Sequence, residues 1–290
     1  MTTVSAPPPT FNQLVIAGSI SGMSSVVVCH PLDTIRTRLQ HSTSATFSSV
    51  VSNTIRFEGI RGLYKGFFPP FFSQAVYKSV IFSIQGRVRH LMSAHMDQPS
   101  PLLLSTVAGA TGGGINAFLV APVELVRNRL QIQQHATAKY KGSLDVIRQV
   151  IKHEGPLALW KGLSATITRD SLGVALYFVG YDAVKSALPQ DWDPTSRVLV
   201  AGAAGGISFW TIALPFDTIK TVIQVNAHAS SSSSAAAPRG MIQTGLHLVR
   251  HEGLGRIFQG WQAAFSRGIP GAAITFYAYD TTMAYLQAHD

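Results

Sequence analysis

This sequence predicts an all-α membrane protein: six transmembrane helices in three repeats around a pseudo-threefold axis, each repeat carrying a short connecting helix. Three observations lead there. The stretch Pro31-Leu32-Asp33-Thr34-Ile35-Arg36-Thr37-Arg38-Leu39-Gln40 recurs as Pro122 to Gln131 and again as Pro215 to Gln224, with the prolines 91 and 93 residues apart. A fixed period of this length marks a repeat architecture. Only 13% of the 290 residues are charged and 46% are hydrophobic, whereas charged residues average about 25% in soluble domains. Finally, Phe11 to Leu32, Pro101 to Val123 and Val198 to Phe216 each run without a charge, and a spanning helix needs about 20 mostly apolar residues.

The chain divides into a short tail (1–10) and three repeats (11–97, 98–192 and 193–290). Each repeat opens with one of the charge-free spans. Gly18 and Gly22, Gly109 and Gly113, Gly202 and Gly206 give these odd helices small-residue spacing that lets backbones approach closely in lipid. Pro31, Pro122 and Pro215 remove a backbone hydrogen bond and are expected to kink their helices. Short helices are expected next, near Phe47 to Phe57, Ser143 to His153 and Met241 to His251. The third connection contains Ser230 to Ser234 and Ala235 to Ala237, a low-complexity insertion that reads as a mobile loop. The second span of each repeat is interrupted by charge: Gly66 to Gln85 by Lys78, Leu163 to Leu188 by several residues, Trp261 to Leu286 by Arg267 and Asp280. Buried helices of a soluble protein are the competing reading. Charge inside a span is usually kept for function and faces a wet interior, which favours six spans. Met1 to Thr10 carries three prolines and no charge, and reads neither as a transit peptide nor as a signal. The lone Cys29 excludes an internal disulfide and a cysteine-only metal site, and its simplest role is a small buried residue.

In each copy of the first signature an acid follows the proline by two, a base follows the acid by three, and a glutamine closes the stretch. Acid and base at i, i+3 share one helix face and can bond neighbouring helices, so three copies around an axis can close a ring. A second signature follows each first one: Glu58-Gly59 with Tyr64-Lys65-Gly66, Glu154-Gly155 with Trp160-Lys161-Gly162, and Glu252-Gly253 with Phe258-Gln259-Gly260. The third copy departs twice, with Val222 in place of the second base and Gln259 in place of the base before glycine. Proline-acid-base with trailing acid-glycine and aromatic-base-glycine, in triplicate from about Phe11 to Leu286, resembles the mitochondrial carrier family.

That resemblance implies a multi-pass protein of the mitochondrial inner membrane with a short helix on the matrix side of each repeat. The net charge of +9 lies in the three connections Asp33–Lys65, Glu124–Lys161 and Asp217–Arg256, whose base excesses account for all of it. Soluble basic proteins use such an excess on nucleic acid. Here the bases fall on one side of the six spans, as positive-inside topology requires, so no nucleic-acid partner is expected. The implied partners are a small zwitterionic or cationic substrate and membrane lipid, cardiolipin in particular. The protein is expected to work as a monomer without metal or cofactor.

The family's arrangement implies a matrix gate that pairs Asp33 with Arg127, Glu124 with Lys220, and Asp217 with Arg36. Gln40, Gln131 and Gln224 would brace it, since an amide can accept from the base and donate to the acid. The opposite, cytoplasmic gate is expected on the even helices as aromatic-acid-x-x-base. Tyr181-Asp182 with Lys185 is complete, Tyr279-Asp280 has Met283 in the basic place, and Gln85-Gly86 precedes Arg89. Arg89–Asp182 and Lys185–Asp280 then survive, and the missing pair is Met283 with Gly86. Losing both partners together costs little, whereas losing one strands a charge. The expectation is a weaker cytoplasmic gate.

Thirteen residues before the gate acids lie Arg169, followed by Asp170, and Arg267; the corresponding position on the second helix is Ser73, with Lys78 five further on. Arg-Asp at this place, His30 before Pro31, Gly86 and Met283 resemble the carnitine/acylcarnitine and basic amino acid branch. The candidate substrate residues are Arg169, Asp170, Arg267, Lys78, Ser73 and His30. A packed helix histidine competes with a ligand role for His30, because a neutral imidazole can satisfy itself on backbone. The reading is exchange of carnitine- or acylcarnitine-type zwitterions by alternating access. A carrier of ornithine, lysine or arginine is the alternative, and a non-transporting helical scaffold is the alternative of another class. An enzyme is disfavoured: there is no Cys/His metal spacing, no glycine-rich phosphate loop and no spare acid pair. Asp170 argues against nucleotides.

Overall fold

The computed structural model describes residues 9–42, 45–96, 99–133, 139–226 and 240–289. Ten α-helices and two 3-10 turns make up the described residues, with no strand among them. The first repeat holds α1 (Phe11–His41), α2 (Phe47–Gly62) and α3 (Phe68–His95). The second holds α4 (Pro101–Ile132), α5 (Ser143–Glu154) and α6 (Leu163–Ala187). The third holds α7 (Pro194–Asn226), α8 (Met241–Glu252), α9 (Trp261–Ser266) and α10 (Gly268–Ala288). The 3-10 turns Pro156–Trp160 and Leu254–Phe258 follow α5 and α8. The low-complexity segment expected to be a mobile loop lies outside the described residues.

Local chemistry sets the helix starts. Thr10 and Gln13 form a reciprocal capping box at α1, Thr46 and Ser49 do the same at α2, and the Ser100 hydroxyl accepts from the Leu103 amide ahead of Pro101 in α4. Three helices are long and apolar enough to cross a membrane by length and composition: α1, α4 and the Ser196–Val225 part of α7. The even helices α3, α6 and α10 hold 28, 25 and 21 residues, enough at about 1.5 Å per residue for a bilayer core of about 30 Å. Of their interrupting charges, Arg169 and Arg267 reach the acids of the odd helices, whereas Asp182 and Asp280 are exposed.

The sixth span is not continuous as expected from Trp261 to Leu286, because the helix breaks between Ser266 and Gly268. Pro270 explains the break, since its ring would clash with the carbonyl four residues back, at Ser266. Arg267 therefore sits at a corner.

The helices follow one another around a circuit, α1–α3–α4–α6–α7, with α10 packed along α1. Glycines on the odd helices mark the close approaches. A methyl group at Gly18 would lie 2.9 Å from Phe82, and one at Gly109 would lie 2.7 Å from Val174. The third repeat differs: Gly206 has nothing nearby, and Gly205 instead packs against Tyr177 of α6. Accordingly α10 touches α7 only sparsely.

Burial concentrates at the proline end of the odd helices. His30, Thr34, Gln40, Gln131, Thr218 and Gln224 are fully buried there. On the even helices, Pro70 is the buried residue of α3, and Ala165, Thr166, Arg169 and Gly173 are those of α6. Both sets lie near the starts of their helices. Burial is heavier at this end; the other, more open end still buries Gln13, Ala17 and Ser19 of α1 and Met283 of α10. The connecting helices complete the closure with i, i+4 pairs turned inward: Val50 and Thr54, Val146 and Val150, Thr244 and Leu248.

Candidate functional site

The i, i+3 acids and bases of α1, α4 and α7 meet at the closed end. Arg127 Nη2 lies 2.8 Å from Asp33 Oδ2, Lys220 Nζ lies 2.5 Å from Glu124 Oε2, and Arg36 Nε lies 3.3 Å from Asp217 Oδ2. Each pair links one repeat to the next, so three contacts close a cycle. The Arg36 and Arg127 contacts are charge contacts without hydrogen-bond alignment.

The glutamines form a tier of their own. Thr37 donates to Gln131 at 2.9 Å, Asn128 to Gln224 at 2.7 Å and Thr221 to Gln40 at 3.0 Å, again cyclically. Gln40 also donates to Asp217 at 2.8 Å. The expected bracing of each ion pair by an amide thus holds for one acid alone. Gln131 donates to Thr34, and Gln224 to the carbonyls of Ala121 and Lys161. The reason is register: each glutamine lies about two turns beyond its acid, level with the Pro+6 side chain of the preceding repeat.

The second signature supports this end in three ways. Pro31 and Pro122 leave the carbonyls of Val27 and Phe118 without their helical donors, and Tyr64 Oη (3.3 Å) and Trp160 Nε1 (2.9 Å) donate to them. Gly66, Gly162 and Gly260 adopt φ of +73°, +84° and +86° and press against Arg127, Lys220 and Arg36. A side chain there would be strained in φ and would meet Arg127 O at 3.0 Å, Lys220 Cγ at 3.1 Å or Arg36 Cγ at 3.2 Å. Finally, Arg38 bonds Glu58 (2.9 Å) and the Gln131 carbonyl (2.8 Å), while Arg129 bonds Glu154 (2.6 Å) and the Gln224 carbonyl (3.1 Å). Lys65 and Lys161 add second cations to Glu58 and Glu154, at 2.5 and 2.6 Å. Burial pushes the Glu154 carboxyl up, but hydrogen bonds from Arg129 and Lys161 outweigh it and hold it at about 2. Glu58 is lowered in the same way by Arg38 and Lys65, against its own burial.

Among the candidate substrate residues, Arg169 and Arg267 reach into the ion-pair ring. Arg169 bonds Asp170 through Nε (2.8 Å), and through Nη1 it bonds both Glu124 (3.0 Å) and Asp217 (2.8 Å). Arg267 bonds Asp33 at 2.7 Å. Every ring acid is therefore held twice, by a base of the next repeat and by an arginine of an even helix. Ser73 donates to Pro69 of its own helix at 2.7 Å. Lys78 does not join Arg169 and Arg267. It lies on the Gln74–Lys78–Phe82 stripe that faces Gly18 and Gly22 of α1, and among the described residues it has no ion pair or hydrogen bond.

His30 sits in a packed environment. It is fully buried, its Nε2 lies 2.9 Å from the Lys65 carbonyl, and it stacks on Tyr64 with Phe67 at its edge. The expected Arg89–Asp182 and Lys185–Asp280 contacts are not made. Arg89 donates to Ser105 at 3.1 Å, and Lys185 lies 5.2 Å from the centre of the Tyr181 ring. Asp182 and Asp280 are exposed, Tyr279 is half-buried, and nothing lies near Gly86. These side chains lie at the more exposed end of the bundle.

Two residues escaped the sequence reading. The Trp210 ring lies under both Arg36 and Arg267, at 4.8 and 5.8 Å. Tyr77, one turn beyond Ser73, has a buried hydroxyl without a partner. Neither belongs to a repeated motif. Tyr77 stands beside Lys78, whereas Trp210 lies within a charge-free span and left no signal.

The model of the family described as mitochondrial carrier protein matches residues 7–96, 98–192 and 191–290. Similar curated proteins include a mitochondrial carnitine/acylcarnitine carrier-like protein of Arabidopsis thaliana, 31% identical over 93% of this chain and 97% of the relative. Solute carrier family 25 member 45 of Homo sapiens is 33% identical over 91% of this chain and 96% of its own. The mitochondrial basic amino acids transporter of Homo sapiens is 31% identical over 95% and 91%. Three matches in register with the three ion-pair signatures leave one assignment: the chain belongs to the mitochondrial carrier family, a family of membrane transporters of the mitochondrion.

Proposed function

We propose that this carrier exchanges carnitine- or acylcarnitine-type zwitterions across the mitochondrial inner membrane by alternating access. The closed ion-pair ring is its matrix gate and the more open end its cytoplasmic mouth. The observation that carries the reading is the adjacent Arg169–Asp170 pair on α6, at 2.8 Å. An anion taking Arg169 leaves Asp170 without its cation, and a cation taking Asp170 leaves Arg169 short of an acid. A zwitterion strands neither, because carboxylate and ammonium each replace one partner of the broken pair. Stranding a buried charge costs several kcal/mol, typically about 3–5, so the preference is substantial.

The double holding of the ring acids supplies the coupling. A substrate carboxylate that draws Arg169 or Arg267 away removes the second cation from Glu124, Asp217 or Asp33. The gate is then held by its three ring contacts alone, and substrate binding favours opening. Only such a difference in binding between states moves the equilibrium. Membrane lipid, cardiolipin included, is proposed as the surrounding partner, and the monomer as the working unit.

Uptake into liposomes loaded in turn with carnitine, acylcarnitines, arginine, lysine and ornithine tests the substrate. Carnitine and its esters are expected to exchange fastest, and Asp170→Asn to lower their exchange about tenfold or more, from loss of one charge-assisted contact of about 1.5–3 kcal/mol. Faster exchange of the basic amino acids replaces the assignment with that substrate class. Uptake of dianions or nucleotides alone, or normal carnitine exchange by the variant, overturns it.

A further inference from the structure

The third repeat lacks both cations that serve the connection in the first two, yet Glu252 and the Gln40 carbonyl stand where Glu154 and the Gln224 carbonyl stand one repeat earlier. Val222, in the place of Arg38 and Arg129, is buried in an apolar cluster with Ile219 and Leu248. Gln259 is in the place of Lys65 and Lys161.

A single guanidinium from elsewhere fills the gap. Arg256, in the 3-10 turn Leu254–Phe258, bonds Glu252 through Nε at 2.7 Å, the Gln259 side-chain oxygen through Nη1 at 2.7 Å, and the Gln40 carbonyl through Nη2 at 2.7 Å. It is 7% exposed. The equivalent positions in the other repeats are Gly62 and Ala158, which are too small to reach anything. Arg38 and Arg129 each join the acid of their own connection to the last glutamine carbonyl of the next odd helix. Arg256 makes the same join for the third repeat, from the connection to the end of α1, and so completes the cycle. Its planar fork suits three acceptors at once, which an ammonium does not.

We propose that Arg256 is the positioning residue of the third repeat: it replaces the missing helix base and the missing lysine, and holds the α8–α9 connection against the end of α1 while the ion-pair ring is closed. The inference rests on the ring being a gate. It does not rest on which solute is carried. Because the tie is made in the closed arrangement, removing it favours the open one and loosens the seam where α9 and α10 meet α1.

Cys29 reports on that seam. It is the lone cysteine, one turn before Asp33, 1% exposed, and its sulfur would meet a methyl group at Gly271 of α10 at 3.1 Å. The experiment is the rate of thiol labelling of the full-length protein in liposomes, without substrate, by a maleimide given access to the ring side. Melting temperature is measured on the same preparations. Arg256→Ala is expected to label about five- to tenfold faster than wild type. Arg256→Lys, which can serve one or two acceptors, is expected to fall between. The triple substitution V222R/R256A/Q259K, which copies the second repeat, is expected to return the rate to within about twofold of wild type. A wild-type labelling rate in Arg256→Ala overturns the proposal. So does a triple variant that melts like wild type but still labels fast. If Arg256→Ala or the triple variant does not fold, Arg256→Lys against wild type decides, because unchanged labelling there is equally fatal. Failure of carnitine uptake with this pattern intact would remove the substrate assignment and leave Arg256 in place.

Discussion

The first two repeats and the third reach the same ion-pair geometry by different means. In repeats one and two, Tyr64 and Trp160 donate to the carbonyls opened by proline, and the base beyond the ring sits on the odd helix itself. In repeat three, Phe258 has no donor to offer the Thr211 carbonyl, Val222 is apolar, and the guanidinium comes from Arg256 in the connection. The Asp217–Arg36 contact and the glycine packing at Gly260 are nevertheless preserved. What the fold holds constant is the closed cycle of acids and bases. The supports are exchangeable as long as a cation reaches the connection's acid and the next repeat's terminal carbonyl.

The largest expected effect breaks this comparison at its acids. Glu154→Gln leaves Arg129, which is 1% exposed, without its carboxylate; such stranding costs about 3–5 kcal/mol. The Glu252 side chain is 27% exposed against 9% for Glu154, so water can replace more of what its loss takes from Arg256 and the cost is expected to be smaller. Thermal unfolding of the purified variants should therefore rank Glu154→Gln well below Glu252→Gln. The reverse ranking would show that the third repeat's connection is the more firmly held.

Acid sharpens the same contrast. The Glu154 carboxyl, held at about 2, and Glu58, lowered in the same sense, are depressed in the folded protein. Their stabilisation is present above the ordinary carboxylate value near 4.5, and is lost as pH falls from there toward about 2. After solvent screening this amounts to roughly 1–2 kcal/mol for Glu154. Melting temperature is expected to be flat above about pH 5 and to fall below it, with a shallower fall in Glu154→Gln. An unchanged acid slope in that variant would remove Glu154 from the account.

At the more open end, Gly86→Asp with Met283→Lys restores the pair that α3 and α10 lack. One partly wet ion pair contributes roughly 1 kcal/mol, about fivefold in population. The double variant should favour the conformation closed at the mouth, read as slower exchange or as a shifted ratio of KM between the two faces. Unchanged KM on both faces would count against pairing in that direction.

The smallest effect concerns the freed carbonyls. Trp160→Phe should cost about 0.5–1.5 kcal/mol, the net value of one hydrogen bond, and Phe258→Trp should add up to a similar amount. Equal melting temperatures for all three proteins would mean that water already serves these carbonyls.

The sequence made the ion-pair ring legible because its spacing is triplicated and an i, i+3 pair can face only one way on a helix. The connecting helices Phe47–Gly62, Ser143–Glu154 and Met241–Glu252 were legible for the same reason. Interactions that join unlike parts of the chain were not. The second hold on the ring acids comes from Arg169 and Arg267, whose reach toward α1, α4 and α7 depends on how far the bundle has closed. Pro270 announced the break before α10, but hydrophobic length masked it. Arg256 left a faint trace: two missing bases in one repeat, beside an acid with an unmatched arginine at i+4. The Arg89–Asp182 and Lys185–Asp280 contacts are not made, because spacing along the chain does not fix how far apart the even helices stand.

Gly260 touching Arg36 has a bearing on how the protein is made. The contact joins the last tenth of the chain to the first helix, and the Arg36–Asp217 and Arg256–Gln40 contacts run the same way. With only the first two repeats in place, Arg36 lacks Asp217 and the Gln40 carbonyl lacks Arg256, although Thr37 and Arg38 already meet Gln131. The cycle of contacts is complete only when Arg256 and Gly260 have followed. A chain cut short before Asp217 therefore leaves the cycle of contacts open at Arg36 and Gln40.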